Sequence, residues 1–273
     1  MLMAFFNEDI GDGDLSSETI FGPGEQGQFT FYAKQSGVFC GKQVIEIGFP
    51  LLDSQLRVRV LKQDGEHVEK GEKLAIIEGS LRSLLTGERV ILNCIQRMSG
   101  IATQAYKAAE IVDGTNAKVC DTRKTIPGLR MLDKYAVRAG GGYNHRSGLY
   151  DAIMLKDNHI AFAGSISEAV RMARSKIGHT VKIEVEIETK EQLLEAIKAA
   201  ADIIMFDNRT PEEISAWLPL VPAHIATEAS GGITLKNLRS YAETGIEWIS
   251  LGALTHSVQA FDISALVEPK GVV

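Results

Sequence analysis

The sequence is short of cysteine, of basic charge and of long apolar runs. Its 273 residues include 3 cysteines, Cys40, Cys94 and Cys120. They form no CxxC pair and no Cys/His ligand spacing, which excludes a disulfide framework and a structural zinc site. Three reduced, mostly buried thiols in a cytosolic protein are expected. Lys and Arg number 29 against 35 Asp and Glu, a formal charge of −6. That deficit excludes a general nucleic-acid binder, which needs a basic surface. A site for an anion must then come from local clustering. No run reaches the roughly 18 apolar residues that cross a membrane. The opening MLMAFFNEDIGDGD has no basic n-region and no small-residue cleavage site. The chain therefore reads as soluble and cytoplasmic, without a membrane partner. The rest is ordinary: 45% hydrophobic and 23% charged, enough for a core and too apolar for disorder. At about 150 residues per domain the length suits one large domain or two ordinary ones.

The first 80 or so residues read as β-rich. Residues 28–40 (QFTFYAKQSGVFC) are aromatic and β-branched with Gly37 as punctuation, and residues 56–61 (LRVRVL) alternate strictly. Turns follow at Asp64-Gly65 and Lys70-Gly71. A lipoyl-type carrier shares this rhythm, but the next expected turn, Glu78-Gly79-Ser80, has no lysine to modify. Residues 81–112 read as one helix of about 45 Å, suited to bridge two domains. Ile91, Cys94, Ile95, Met98, Ala102 and Ala105 share one face. Thr86, Arg89, Asn93, Gln96 and Gly100 form a polar stripe that reads, on pattern alone, as a solvated face.

Beyond residue 113 short apolar strands alternate with helices. Candidate strands are 117–121, 152–155, 181–186, 202–206, 224–228 and 247–251, with helices such as 166–177 and 190–200, the last capped by Thr189. Alternation of this kind predicts a parallel sheet. Six strands fall short of an eight-unit barrel, so an open α/β barrel or a doubly wound sheet fits. In such folds ligands bind at the carboxyl ends of the strands. The first two ends bring Thr122, Arg123, Lys124, His145, Arg146 and Lys156. The next two bring carboxylates: Glu184, Glu186 and Glu188, then Asp207. The alternating glutamates equally suit plain ion pairs, and the pattern leaves open whether Glu184 or Glu186 faces a site. The last two ends, Ser230-Gly231-Gly232 and Ser250-Leu251-Gly252 with His256 beyond, are small and Gly-rich. Converging cations suit a ligand with several carboxylates or phosphates. Oxygen donors suit Mg²⁺, and Gly-rich turns let backbone N–H groups reach a phosphate. Gly140-Gly141-Gly142 reads as a helix C-cap and loop, and His67 and His179 as surface residues in turns.

The segments EDIGDGDLSS (8–17), GERVILNCIQRMSGIAT (87–103), the forty residues 121–160, FDN (206–208), EASGGI (228–233) and SLGALTHS (250–257) together resemble the quinolinate phosphoribosyltransferases, a type II phosphoribosyltransferase family. The resemblance implies an N-terminal α/β sandwich followed by an incomplete, open TIM-like α/β barrel of six to seven strands. Residues 1–112, joined by 258–273, would form the first domain, and 113–257 the second. The implied activity is that of a pentosyltransferase of NAD biosynthesis, converting quinolinate and phosphoribosyl pyrophosphate to nicotinate mononucleotide, pyrophosphate and CO₂. Quinolinate would meet Arg123, His145, Arg146 and Lys156. Phosphoribosyl pyrophosphate would meet Lys124, Glu186 and Asp207, which also act in catalysis, with Mg²⁺ at Glu186 and Asp207. The phosphate grip would be Ser230, Gly231, Gly232, Ser250, Gly252 and His256. A homodimer with shared sites, or a higher assembly built on it, would insert Arg89 into the neighbour's site. The family also has a helix before the EDIG segment, and here only MLMAFFN stands there, which implies a shortened helix or a misassigned start. A lysine such as Lys156 in a barrel also fits a Schiff-base enzyme, and a phosphate-ligand sensor is a non-catalytic alternative; the implied Mg²⁺ carboxylates Glu186 and Asp207 weigh against the sensor.

Overall fold

A computed structural model describes residues 1–267. Residues 268–273, the end of the expected C-terminal segment, lie outside the described residues. The chain divides into two compact units, Met1–Gln104 with Val258–Val273, and Ala105–Ser257.

The first unit begins with helices α1 (Leu2–Ile10) and α2 (Leu15–Ile20). Strands β1 (Gln26–Ala33) and β2 (Gly37–Val38), helix α3 (Lys42–Leu52), and strands β3 (Arg57–Val60), β4 (His67–Val68) and β5 (Lys73–Ser80) follow. The long helix α4 (Leu81–Val112) comes next, and strand β12 (Ile263–Val267) returns from the far end of the chain. An antiparallel sheet runs in the order β12-β1-β5-β3, and β2 pairs with β4. Phe29, Phe31 and Phe49 pack in the core with ring centroids 5.2–6.1 Å apart. The β-rich reading of this stretch missed three helices. Asp14 starts α2 by accepting the Ser17 amide at 3.0 Å, a cap that a scan for apolar alternation does not register. A helix also stands where the sequence kept only MLMAFFN, running on through the EDI of the EDIG segment. Glu78-Gly79-Ser80 is the end of β5 rather than a turn.

The helix expected over 81–112 is α4, 32 residues long, but its polar stripe is not solvated throughout. Arg89 and Asn93 are exposed. Thr86 donates to Asp14. Gln96 donates to the Ile263 carbonyl at 2.8 Å, and its own carbonyl accepts the Phe261 amide at 2.9 Å. At Gly100 a Cβ would lie 2.2 Å from the Gln259 carbonyl oxygen. The stripe is where the returning C-terminal chain lies down, and Gly100 lets its backbone approach.

The second unit holds six strands and their helices. They are β6 (Lys118–Cys120), α5 (Arg130–Ala139), β7 (Ile153–Leu155), α6 (Asp157–Ala163), α7 (Ile166–Arg174) and β8 (Ile183–Ile187). Then come α8 (Lys190–Lys198), β9 (Ile203–Asp207), α9 (Pro211–Trp217), β10 (Ala226–Ser230), α10 (Leu238–Ala242), β11 (Trp248–Ser250) and α11 (Ala253–His256). The sheet is parallel in the order β6-β11-β10-β9-β8-β7. The first strand lies beside the last, so the sheet curves round as an open barrel, and a bridge from Cys120 to Tyr143 extends its β6 edge. All six expected strands are present within two residues of their predicted ends. Thr189 and Gln192 form the capping box of α8. Gly140 caps α5, as expected of the triple glycine. His67 and His179 are exposed, though His67 lies in β4 rather than in a turn. Among the described residues no helix is long and apolar enough to cross a membrane. The three cysteines are free and buried; burial pushes Cys94 up to about 11 and raises Cys40 and Cys120 as well.

Candidate active site

The carboxyl ends of the barrel strands open into a cavity of about 530 Å³, within the range of small-ligand sites. Thr122, Arg123 and Lys124 line it from the loop after β6, His145 and Arg146 from the loop before β7, and Lys156 from the end of β7. Glu186 enters from β8 and Asp207 from β9. Ser230, Gly231 and Gly232 follow β10, and Ser250 ends β11. Gly252 and His256 are not among the lining residues, but Gly252 sits against both His256 and Lys124. A Cβ on Gly252 would lie 3.0 Å from the His256 ring and 3.3 Å from Lys124 Cδ. Arg89, in the first unit, lines no part of it.

The cationic side is held from beneath by buried anions. Asp121, fully buried, accepts Lys134 Nζ at 2.5 Å, Asn144 Nδ2 at 2.6 Å and the His145 amide at 2.9 Å. Lys134 also donates to the His145 carbonyl at 2.8 Å. Arg130 reaches from α5 to the Thr125 hydroxyl at 3.0 Å and the Ser147 carbonyl at 2.9 Å. These contacts fix the loop that presents His145 and Arg146. His145 Nε2 stands 3.2 Å from Glu184 and 3.4 Å from Glu228, both buried. Burial works against charge on the ring, but the hydrogen bonds and charges of the two carboxylates outweigh it and favour a proton on the Nε2 that faces them. Burial raises Glu184 too. The sequence left Glu184 and Glu186 unresolved. Glu186 lines the cavity, and Glu184 lies buried against the His145 ring.

Two guanidiniums crowd this side of the cavity. Burial lowers the Arg146 pKa, and the nearby Arg123 charge lowers it further. Arg146 Nη1 donates to the Ala152 carbonyl at 3.0 Å, whereas the buried Nε of Arg123 has no hydrogen-bond partner. Lys156 Nζ is 2.5 Å from Glu186 Oε1, an ion-paired ammonium rather than the neutral amine a Schiff base needs. His159 accepts the Lys156 amide at 3.1 Å, so it starts α6.

The opposite side is built from backbone. Gly231 has φ +91°, and a Cβ there would lie 2.2 Å from Asn208 Oδ1. Asn208, at φ 53°, donates its amide to the Ser230 carbonyl at 2.9 Å, and its side chain donates to Asp207 at 2.9 Å. Asn208, Met154 and Met205 line the cavity and were missed by the sequence reading. The methionines were readable only as strand hydrophobes, and Asn208 only as the polar end of its strand beside Asp207, with no role assigned.

The family model for the quinolinate phosphoribosyl transferase N-terminal domain matches residues 14–99, and that for the C-terminal domain matches 101–265. The probable nicotinate-nucleotide pyrophosphorylase (carboxylating) of Bacillus subtilis is 56% identical over 264 residues, spanning 97% of this chain and 91% of that protein. The chloroplastic nicotinate-nucleotide pyrophosphorylase (carboxylating) of Oryza sativa is 38% identical over 96% of this chain and 75% of that protein. The crystal structure of NadC from Streptococcus pyogenes superposes with a TM-score of 0.93 at 40% identity, covering 98% of this chain and 95% of that one.

Proposed function

The chain belongs to the quinolinate phosphoribosyltransferase family, and on that footing we propose that its cavity joins quinolinate to phosphoribosyl pyrophosphate, releasing pyrophosphate and CO₂ and leaving nicotinate mononucleotide for NAD biosynthesis. The observation that carries the substrate is the crowding of Arg123 and Arg146, with a buried guanidinium nitrogen unpartnered. Two cations that repel one another call for a ligand with two anions, and adjacent carboxylates on one ring supply them.

Arg123, Arg146 and Lys156 bind the two carboxylates and turn the ring nitrogen toward the anomeric carbon of the ribose. The turn at Ser230-Gly231-Gly232 takes the phosphate through backbone N–H groups. Lys124, exposed at the cavity edge, sets positive charge against the departing pyrophosphate. Bond formation at the nitrogen needs no general base. Once quaternised, the ring's N⁺ stabilises the electron pair left on the adjacent carbon when its carboxylate departs as CO₂, and that carbon takes a proton from solvent. Glu186 and Asp207 fit Mg²⁺, since both offer hard oxygen donors to one cavity from neighbouring strands. When bound there, the ion supplies charge neutralisation for the pyrophosphate. Release of CO₂ from carboxyl-labelled quinolinate, dependent on phosphoribosyl pyrophosphate and Mg²⁺, tests the reading. Comparable kcat/KM for nicotinate, which has one carboxylate, overturns it.

The enzyme works in the cytoplasm, where three buried thiols stay reduced, as a homodimer in which Arg89 serves the partner's cavity. Its exposure on α4 supports that role. Arg89→Ala and Lys156→Ala enzymes, each nearly inactive, are unfolded together and refolded. Half the dimers are then mixed, each with one intact site, and about a quarter of wild-type activity returns. No recovery in a mixture shown to contain mixed dimers rejects the shared site.

A further inference from the structure

Every polar atom of His145 is engaged within the protein. Its amide donates to Asp121 Oδ1 at 2.9 Å, and its carbonyl accepts Lys134 Nζ at 2.8 Å. Nδ1 accepts the Arg146 amide at 2.8 Å. Nε2 faces Glu184 Oε2 at 3.2 Å and Glu228 Oε2 at 3.4 Å. Glu228 is held in turn by the Ser250 hydroxyl, which donates to Oε1. Glu184 and Glu228 are 2% and 4% exposed, and neither lines the cavity. Two buried carboxylates thus converge on a single N–H.

One histidine and two glutamates with ligand atoms within 4.8 Å of one another also match the composition of a metal site. The tautomer decides between the two. A histidine bound to metal through Nε2 carries its proton on Nδ1 and donates it to a neighbour. Here Nδ1 faces the Arg146 N–H, itself a donor, so Nδ1 is the acceptor and the proton sits on Nε2. A proton on Nε2, facing both carboxylates, accounts for the convergence of the three side chains without an ion.

We infer that Glu184 and Glu228 are positioning residues for the acid-binding end of the cavity, acting on substrate only through His145. The ring they hold grips the Arg146 amide, and Arg146 is a guanidinium on which the proposed quinolinate site depends. Without either carboxylate the ring is free to turn, the amide is released and the guanidinium loses its aim. Small misplacements of a binding group weaken binding far more than the lost contact itself. The inference rests on the reading of the cavity as a quinolinate site.

The test is Glu228→Gln in the full-length enzyme, with quinolinate and phosphoribosyl pyrophosphate titrated separately by calorimetry. The quinolinate Kd should rise about tenfold, while that for phosphoribosyl pyrophosphate stays within about twofold. Steady-state rates should show the same loss as a raised KM for quinolinate with kcat changed by less than about threefold. In a His145→Ala background the same substitution should change quinolinate binding by less than about twofold, because the path through the ring is gone. A full additional loss in that background overturns the inference, as does an equal loss for both substrates. So does one equivalent of metal in the purified wild-type enzyme that Glu228→Gln fails to retain. Should Glu228→Gln not fold, Glu184→Gln, at the other buried carboxylate facing the ring, must show the same selective loss. Failure of the wild-type enzyme to bind quinolinate at all would instead strike the proposed function.

Discussion

The two units bury different kinds of polar group. Within Met1–Gln104 and the returning strand, the buried polar side chains are hydroxyls: Ser17, Thr30, Ser99 and Thr103. Within Ala105–Ser257 they include Asp121, Asp133, Lys134, Glu184 and Glu228. A buried hydroxyl needs one or two hydrogen bonds, which a neighbouring backbone supplies at little cost. A buried charge needs a counter-charge and several hydrogen bonds, and rarely adds net stability over an apolar residue. The barrel keeps such charges because they fix the side chains and backbone that line its cavity. The first unit lines none of that cavity, and among its described residues the core combines packed phenylalanines with hydrogen-bonded hydroxyls and buries no such charge. Buried charge in this chain therefore marks the unit that holds the candidate cavity.

The sharpest way to break that contrast is Lys134→Met. It leaves Asp121 buried with the Asn144 amide and the His145 backbone but no cation. Loss of one partner from a buried pair costs about 3–5 kcal/mol, read as a fall in urea midpoint, and the loop bearing His145 and Arg146 should lose quinolinate affinity with it. The pH dependence has a definite sign. Burial already raises the Asp121 pKa, with Lys134 pulling it back down. Without Lys134 it rises further, so the group folds best when protonated. Its contribution is present below the unfolded value of about 3.9 and is lost as pH rises through the folded value. The damage should thus be smallest in acid. A stability loss independent of pH would mean that Asp121 is not the charge being stranded.

A hydroxyl in the first unit should matter less. Ser99 accepts the Cys40 amide at 2.9 Å and donates to the Cys40 carbonyl at 3.0 Å. Ser99→Ala strands both buried backbone groups and should cost about 1–3 kcal/mol. It should leave both substrate affinities unchanged. A selective loss of quinolinate binding in this variant would erase the distinction between the units.

How much of this was legible in the sequence follows from the same contrast. The barrel strands were readable because each is a short apolar run, and the cavity residues because polar groups recur at the carboxyl end of every one. Glu184 and Glu228 stand in the same strand-end stretches, but nothing in the sequence marked them as buried beneath the cavity. Glu184 reads as one of three alternating glutamates, and Glu228 as the residue before a glycine turn. Their burial depends on which strands become neighbours, a property of the closed sheet. Lys134 looked like any helix-surface lysine, since only the fold turns it toward Asp121. In the first unit the missed helices were hidden by their short length, and α2 by a cap that apolar patterning does not register. Gln96 and Gly100 gave no hint of the chain that settles on them, because that chain comes about 160 residues later in the sequence.

The smallest effect expected is at Asp14, and its pH dependence runs the opposite way. Asp14 caps α2, accepting the Ser17 amide at 3.0 Å, the Ser17 hydroxyl at 2.6 Å and the Thr86 hydroxyl at 3.0 Å. The Ser17 hydroxyl and amide hydrogen bonds hold its pKa below the usual carboxylate value. A group depressed in this way stabilises the fold above its unfolded pKa, about 3.9, and loses that contribution as pH falls through the folded value. Asp14→Ala should cost about 1 kcal/mol at neutral pH, the usual worth of an N-cap. The gap from wild type should narrow below about pH 4, where Asp14 is itself protonated. The Lys134→Met gap should narrow in acid as well, but for another reason: there the variant is rescued, whereas here the wild type declines to meet it. Absolute urea midpoints separate the two. At low pH, Lys134→Met should rise toward wild type, and wild type should fall toward Asp14→Ala. An Asp14→Ala midpoint that climbs in acid would mean that Asp14, half-buried at the end of a helix, behaves like the stranded carboxylates of the barrel.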